Sequence, residues 1–376
     1  MARAGAIGKP SAAAKAPAVS VVVVVYESGP TLPECLAALK AQTWRDYEVI
    51  LADNASSDRT AQAAARADPA IRLIENAENL GFAAAVNQAA KVARGRWLAL
   101  INPDAFAEPA WLERLMAATR ANPDVRCFTS RQLMADDPTK LDGLGDVMAL
   151  AGFPFRGGYT HADPGEIEPG WVFSACGGAM LVERALFLGL GGFDERLFCY
   201  CEDVDLGYRL RLIGEPTLLV PGAVVRHVGS ASTGGRRSDF AVFHGTRNRF
   251  WVFVKDTPPV LLWLTLPLHV LATLVLFARH ATRGEILTPV RGLAAGIRHI
   301  GVALEARREV QASRTASSWR IARAMTWNPL DLFLRRAFIQ PISSPPSEAK
   351  RGRGQGEGGT ESSSGRAVKR GPSGDL

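Results

Sequence analysis

Residues 20–26 read SVVVVVY. Five consecutive valines in so short a run suit a strand buried on both faces, because no polar position marks a solvent side and β-branched side chains pack well on a pleated surface. Gly29 and Pro30 end the run, and Leu32, Cys35, Leu36 and Leu39 then recur at helical spacing over 31–43, with Pro30 or Thr31 starting the helix. Working outward, 47–52 (YEVILA) is a second buried strand, 60–67 an Ala-rich helix, 71–75 a third strand, 82–93 a helix and 97–101 a fourth strand. Strands alternating with helices at this spacing predict an α/β fold with a mostly parallel central sheet flanked by helices. Ligands of such sheets bind outside the carboxyl ends of the strands. The polar residues after each strand are therefore expected to converge: Tyr26 and Glu27, Asp53 and Asn54, Asn76 and Asn79, Asn102 and Asp104.

The chain has 376 residues, 47% hydrophobic and 22% charged, which allows one large folded domain with an appendage. Its five cysteines are odd in number and scattered, which argues for a reducing compartment over a disulfide framework. The formal net charge is +7, with the excess towards the C-terminal third. No DNA- or RNA-reading motif accompanies it, so an anionic membrane surface or an acidic substrate is expected in place of nucleic acid. Residues 1–18 have no apolar run long enough for an export signal and are read as a flexible leader.

Residues 257–278, TPPVLLWLTLPLHVLATLVLFA, contain no Asp, Glu, Lys or Arg. That length can cross a bilayer, although Pro267 and His269 also permit a kinked, re-entrant or core segment. Flanking arginines and Trp251 and Trp263 favour the membrane. Residues 287–336 read as basic, amphipathic and helical, suited to anionic lipid, so 257–340 is expected to be a membrane-associated helical extension of a catalytic domain at 19–256. Residues 341–376 are Gly-, Ser- and charge-rich and are expected to be disordered.

Five constellations carry chemistry. Asp53 to Asp58 (DNASSD) follows a buried strand, where an acid can accept from the imide N–H of a pyrimidine or the small polar residues can cap the next helix. Glu78 to Phe82 (ENLGF), leading to Asn87, contains a glycine that frees the backbone for close approach to a ligand. Asn102-Pro103-Asp104 places an acid past a strand end, where a divalent ion can reconcile it with a diphosphate. Glu202, Asp203 and Asp205 crowd three carboxylates into four residues, which raises at least one pKa and suits a general base; a solvated helix start is the plainer reading. His227 ends a strand before a Gly/Ser loop and is a candidate metal or phosphate contact.

The order and separation of these motifs (VSVVVVVYES, ADNASSD, ENLGFAAAVNQA, LINPDA, CGGAMLV, GGFDE, CEDVDLGYRLR, HVGSAST and RNRFWVFVK) resembles family 2 glycosyltransferases, especially their rhamnosyltransferase-like branch, over about residues 19–255. The resemblance implies a GT-A fold and an inverting enzyme using a nucleotide-diphosphate sugar, Mg²⁺ or Mn²⁺, and a cell-envelope glycan or lipid-linked acceptor at the cytoplasmic face of the membrane. Carried over by motif, Tyr26, Glu27, Asp53 and Asn79 would hold the nucleoside, Asn87 would position the donor, and Asn102 and Asp104 would lie at the diphosphate. Asp104 and His227 would meet the metal. Gly177, Gly178 and Asp205 would line the sugar and acceptor pocket, and Asp203, beside Glu202, would be the base. Asn102 replaces the first acid of the usual Asp-x-Asp motif, and Glu27 stands where Asn or Asp is commoner. The branch suggests dTDP-rhamnose as donor, and the missing Gln-x-x-Arg-Trp motif favours single-sugar addition. Two rivals are a nucleotidyltransferase, which would need a basic phosphate loop where Tyr26-Glu27-Ser28-Gly29-Pro30 stands, and a non-catalytic membrane scaffold, which would not need Glu202-Asp203. The sequence leaves the oligomeric state open.

Overall fold

The computed structural model describes residues 16–229 and 238–342. Most of the leader, Ser230 onward in the loop after His227, and nearly all of the tail lie outside the described residues.

The expected alternation is present as β1 (Val19–Val25), α1 (Leu32–Lys40), β2 (Tyr47–Asp53), α2 (Thr60–Ala67), β3 (Ile71–Glu75), α3 (Phe82–Val92) and β4 (Trp97–Ile101). β1 pairs in parallel with β2 and β4, and β2 with β3. The valine run serves two cores at once. Val19, Val21, Val23 and Val25 pack with Leu32, Leu39 and Trp111 on one face, while Val22 and Val24 pack with Ala85, Val86 and Ala89 of α3 on the other. Burial of both parities is why no alternation shows in the sequence.

The chain continues through β5 (Ala105–Ala107), α4 (Trp111–Ala121), β6 (Cys127–Met134), β7 (Leu141–Gly143), β8 (Asp146–Ala149), β9 (Phe153–Arg156), β10 (Gly170–Val172), β11 (Ala179–Glu183), α5 (Arg184–Gly189), α6 (Glu202–Leu212) and β12 (Thr217–His227). Here the sheet is mixed rather than mostly parallel. β11 runs antiparallel between β4 and β6, and β12 is parallel to β6 but antiparallel to β5 and β10. β11 begins at Ala179, directly after the Gly177-Gly178 pair that lines the cleft. β12 is one long strand with a register shift between Val220 and Val224.

Six helices follow: α7 (Asp239–Asp256), α8 (Pro259–Ala281), α9 (Leu287–Arg298), α10 (Ile300–Ala312), α11 (Ser318–Arg323) and α12 (Pro329–Leu334). The basic stretch expected as one amphipathic region is thus broken into four helices. β13 (Gln340–Pro341) returns to pair with β10, so the extension is stitched to the edge of the catalytic sheet. Among the described residues, α8 alone is long and apolar enough to cross a membrane, by length and composition.

Candidate active site

The carboxyl ends of β1, β2 and β4 open onto one cleft of about 590 Å³. Tyr26, Asn54, Asn79, Asn102 and Asp104 line it together with Gly177, Gly178, Glu202, Asp203 and His227. Residues from opposite ends of the catalytic segment therefore meet, as the strand-end rule requires.

The loops on the sheet side are shaped by side-chain bonds. Asp53 is buried and accepts from Ser56 N–H at 3.1 Å, from its hydroxyl at 2.5 Å and from Gln62 Nε2 at 2.7 Å. Glu27 accepts from Ser57 N–H at 2.8 Å. Neither lines the cleft; they brace the loops that present Tyr26 and Asn54. Asp58 accepts from Thr60 N–H at 2.9 Å and from Gly29 N–H at 2.8 Å and so ties two loops; the cap position of α2 is Arg59, without a side-chain cap bond, and not Ser57 or Asp58. Gly81 has φ +86°, and a Cβ there would lie 2.6 Å from the Phe198 ring and carbonyl, so only glycine lets the two loops touch.

Two more predicted residues lie away from the cleft. Asn87 is buried in α3, donating to the Phe193 carbonyl and to Glu195 Oε1, both at 2.9 Å, and so ties the Gly-Gly-Phe-Asp turn instead of facing the cleft. Asp205, expected in the acceptor pocket, is fully buried and paired with Arg209 at 2.8 Å and with Lys255. The helical period explains the miss: two residues past Asp203 the side chain has turned about 200° round α6, away from the cleft.

His227, at the end of β12, faces Asp104 Oδ1 through Nε2 at 3.2 Å and Asp142 Oδ2 through Nδ1 at 2.8 Å. Burial favours the neutral ring, but the hydrogen bonds to Asp104 and Asp142 prevail and raise its pKa. Arg156 binds the same Asp142 oxygen at 2.7 Å. A neutral ring with its proton on Nδ1 would aim the Nε2 lone pair at a carboxylate oxygen. A second proton or a cation removes that repulsion. Asp104 and His227 thus fit two positions of a divalent ion, with Asp142 orienting the imidazole from behind. No group of three or more His, Cys, Asp or Glu ligands exists among the described residues. Phosphate oxygens and water would complete the set, as Mg²⁺ commonly requires.

Asp203 is half-buried at the start of α6, where its Oδ2 accepts from Gly177 N–H at 2.9 Å and its Oδ1 from Val204 N–H at 2.8 Å. Glu202 is buried beside it, and burial first, then the charge of Asp203, pushes its pKa well up. The approach to α6 is strained: Phe198, Tyr200 and Cys201 have φ of 65°, 72° and 67°. Such conformations persist only where the surroundings impose them. Asn248 of α7 imposes this one, its Nδ2 donating to the carbonyls of Leu197, Cys199 and Tyr200 at 2.8–2.9 Å.

The sequence of residues 20–186 matches the family described as Glycosyl transferase family 2. The N-acetylglucosaminyl-diphospho-decaprenol L-rhamnosyltransferase of Mycobacterium tuberculosis (strain ATCC 25618 / H37Rv) is 37% identical over 265 residues, covering 63% of this chain and 83% of that protein. The chain belongs to glycosyltransferase family 2. This family 2 enzyme is also 28% identical over 198 residues to the putative glycosyltransferase EpsE of Bacillus subtilis (strain 168), covering 51% of this chain and 66% of that one. Its fold is similar to that of GalNAc-T7, solved with UDP, GalNAc and Mn²⁺, at a TM-score of 0.52 and 19% identity, over 64% of this chain and 48% of that longer one. The resemblance read from the motifs, the GT-A fold and the glycosyltransferase class are therefore established.

Four contributors escaped the sequence reading: Asp142, Asp146, Arg156 and Asn248. The first three come from β7, β8 and β9, short strands with no recognisable motif, and all of that charge looks like ordinary surface charge until the fold buries it. Asn248 sits within the RNRF segment between Arg247 and Arg249, where nothing in the sequence sets it apart as a polar residue that the fold would bury.

Proposed function

We propose that this enzyme transfers a sugar, with rhamnose from dTDP-rhamnose the leading candidate, to a hydroxyl of a lipid-linked cell-envelope glycan at the cytoplasmic face of the membrane, with inversion at the anomeric carbon. The observation that carries the reading is that Asp104 and Asp203, far apart in sequence, line one cleft. The named substrate of the mycobacterial relative supports the acceptor class.

In this reading Tyr26 and Asn79 face the nucleoside, while Asp53 and Glu27 hold the loops in place. Asn102, Asp104 and His227 face the diphosphate. Gly177 and Gly178 leave room for the sugar and acceptor. Asp203 removes the proton of the acceptor hydroxyl, the freed oxygen bonds to the anomeric carbon, and the bond to the nucleoside diphosphate breaks on the opposite face. The backbone N–H of Gly177 holds the Asp203 carboxylate in place, while burial and the charge of Asp203 push the pKa of Glu202 up. A Mg²⁺ or Mn²⁺ ion held by Asp104 and His227 would stabilise the negative charge of the leaving group. Residues 19–256 would form the catalytic domain and 257–340 its membrane-associated extension.

The test is a panel of nucleotide sugars screened by thermal shift with Mg²⁺, Mn²⁺ or EDTA, followed by product analysis with a lipid-linked acceptor. One nucleotide sugar should raise the melting temperature, and only with metal. Stabilisation that ignores metal would remove the ion, and transfer from no nucleotide sugar would remove the donor assignment.

A further inference from the structure

α8 is amphipathic in reverse. Its buried positions, Leu261, Thr265, His269 and Thr273, recur every four residues, and three of them are polar. Those three are satisfied inside the protein. The hydroxyls of Thr265 and Thr273 donate to the carbonyls of Leu261 and His269 at 2.8 Å, while His269 Nδ1 meets the Ala151 carbonyl at 2.9 Å and its ring stacks on Phe253. The apolar residues point the other way: Trp263 is 72% exposed and Leu264 70%, with Leu271 and Leu274 also exposed. α12 packs on the same β8–β9 hairpin through Leu332, beside Leu276 of α8, and leaves Leu330 and Phe333 exposed. Arginines stand at the ends of both helices: Arg279 and Arg283 for α8, Arg335 and Arg336 for α12. Apolar side chains with tryptophan and an arginine border complement an anionic lipid surface.

We infer that α8 lies in the plane of an anionic bilayer, with its Trp263–Leu274 face in one leaflet, and does not cross it. This rests on the membrane-borne acceptor proposed above and says how the enzyme sits beneath it. Two features exclude a crossing. α8 alone among the described helices qualifies as a span, so one passage would put everything after it on the far side; yet β13, beyond α12, pairs with β10 of the catalytic sheet. In addition, α8 lies along the β8–β9 hairpin, whose other end carries Asp146 and Arg156 into the cleft. A transverse helix would drag that charged pair towards hydrocarbon, where it is costly. From Ala149 at the α8 end to Asp146 at the cleft is three residues of strand, about 10 Å. A lipid-diphosphate acceptor can therefore keep its tail in the leaflet while its sugar enters the cleft.

The experiment floats the full chain on phosphatidylcholine vesicles with and without about a third phosphatidylglycerol. Wild type should bind the mixed vesicles and bind phosphatidylcholine alone less. The double variant Leu264→Glu/Leu271→Glu should bind about tenfold less, with its metal-dependent thermal shift by nucleotide sugar unchanged, which shows that it folds. Equal flotation of variant and wild type would overturn the inference, as would a wild type that ignores vesicles and forms a dimer that the variant dissolves. Val260→Cys and Arg283→Cys, labelled on vesicles with a membrane-impermeant maleimide and mapped by mass spectrometry, should react from the same side; opposite sides would mean a crossing. Flotation lost in the variant while wild type shows no transfer would support the surface and sink the reaction instead, so the two failures are separable.

Discussion

Helices α6 and α8 both break the rule that charge faces water and apolar side chains face the core, and they break it in opposite directions. α6 turns Asp205 and Arg209 inward, pairs them at 2.8 Å, and adds Lys255, which also binds Asp194 at 2.6 Å. Burial opposes the Asp205 charge, but Arg209 and Lys255 prevail and hold its pKa low. α8 turns Thr265, His269 and Thr273 inward and leaves its leucines outside. The α6 inversion is compensated by partners within the protein, and it fixes the helix that begins with Glu202 and Asp203. The α8 inversion has no apolar partner for its exposed leucines among the described residues, and the inference above gives it another medium. The first builds a rigid site; the second supplies a surface.

The largest effect should come from Asp203→Asn, which we expect to lower turnover by about 10²–10⁴-fold while the donor-induced thermal shift persists. Loss of that shift with normal turnover would assign Asp203 to binding. Next, Lys255→Met leaves Asp194 with Arg196 alone and Asp205 with Arg209 alone and should cost up to about 3–5 kcal/mol in chemical denaturation; adding Asp205→Asn should recover part of it, and no recovery would mean that the cluster is not the cause. Asn248→Ala removes three bonds from the left-handed turn, and a displaced Asp203 should reduce kcat by up to about 10²-fold with the donor KM nearly constant. A change in KM alone would show that the turn does not aim the base.

The pH dependence sharpens the α6 side of the comparison. Burial opposes the charge on Asp194, but Lys255 and Arg196 hold its pKa well below the ordinary aspartate value. A depressed carboxylate contributes stability that is full above the unfolded value of about 3.9 and is lost as pH falls below it. The melting-temperature gap between wild type and Asp194→Asn should therefore be widest near neutrality and narrow as pH falls below about 4. A gap that grows on acidification would reverse the sign. The smallest effect belongs to α8: Leu264→Ser should change stability in water by no more than about 0.5 kcal/mol, since little there is packed.

The parallel half was legible because its information is local. The valine run, the strand-ending Gly-Pro and the regular 3.6-residue spacing each decide an element within a few residues, and 60–67, 71–75 and 97–101 match the helix and strands observed there. The motifs Asn-Pro-Asp and Glu-Asp-Val-Asp were also legible, as polar groups at a strand end and a helix start. Asp142 and Arg156 were not, because their role depends on β7 and β9 folding back beneath His227, a long-range pairing with no periodic signature. Asp205 and Asn87 were misplaced for a related reason: the motif that contains a site residue also contains the residues that anchor it, and only the direction of each side chain separates the two.

The sheet runs without interruption from β4 through β11 and β6 to β12. The strand that leads to Asp104 and the strand that ends in His227 are thus laced into a single fabric by ladder bonds. A hinge between the two halves would have to tear that lacing. The separation of Asp104 from His227 is consequently set when the chain folds, and a change in it must come from the side chains and loops at the rim, not from swinging one half against the other.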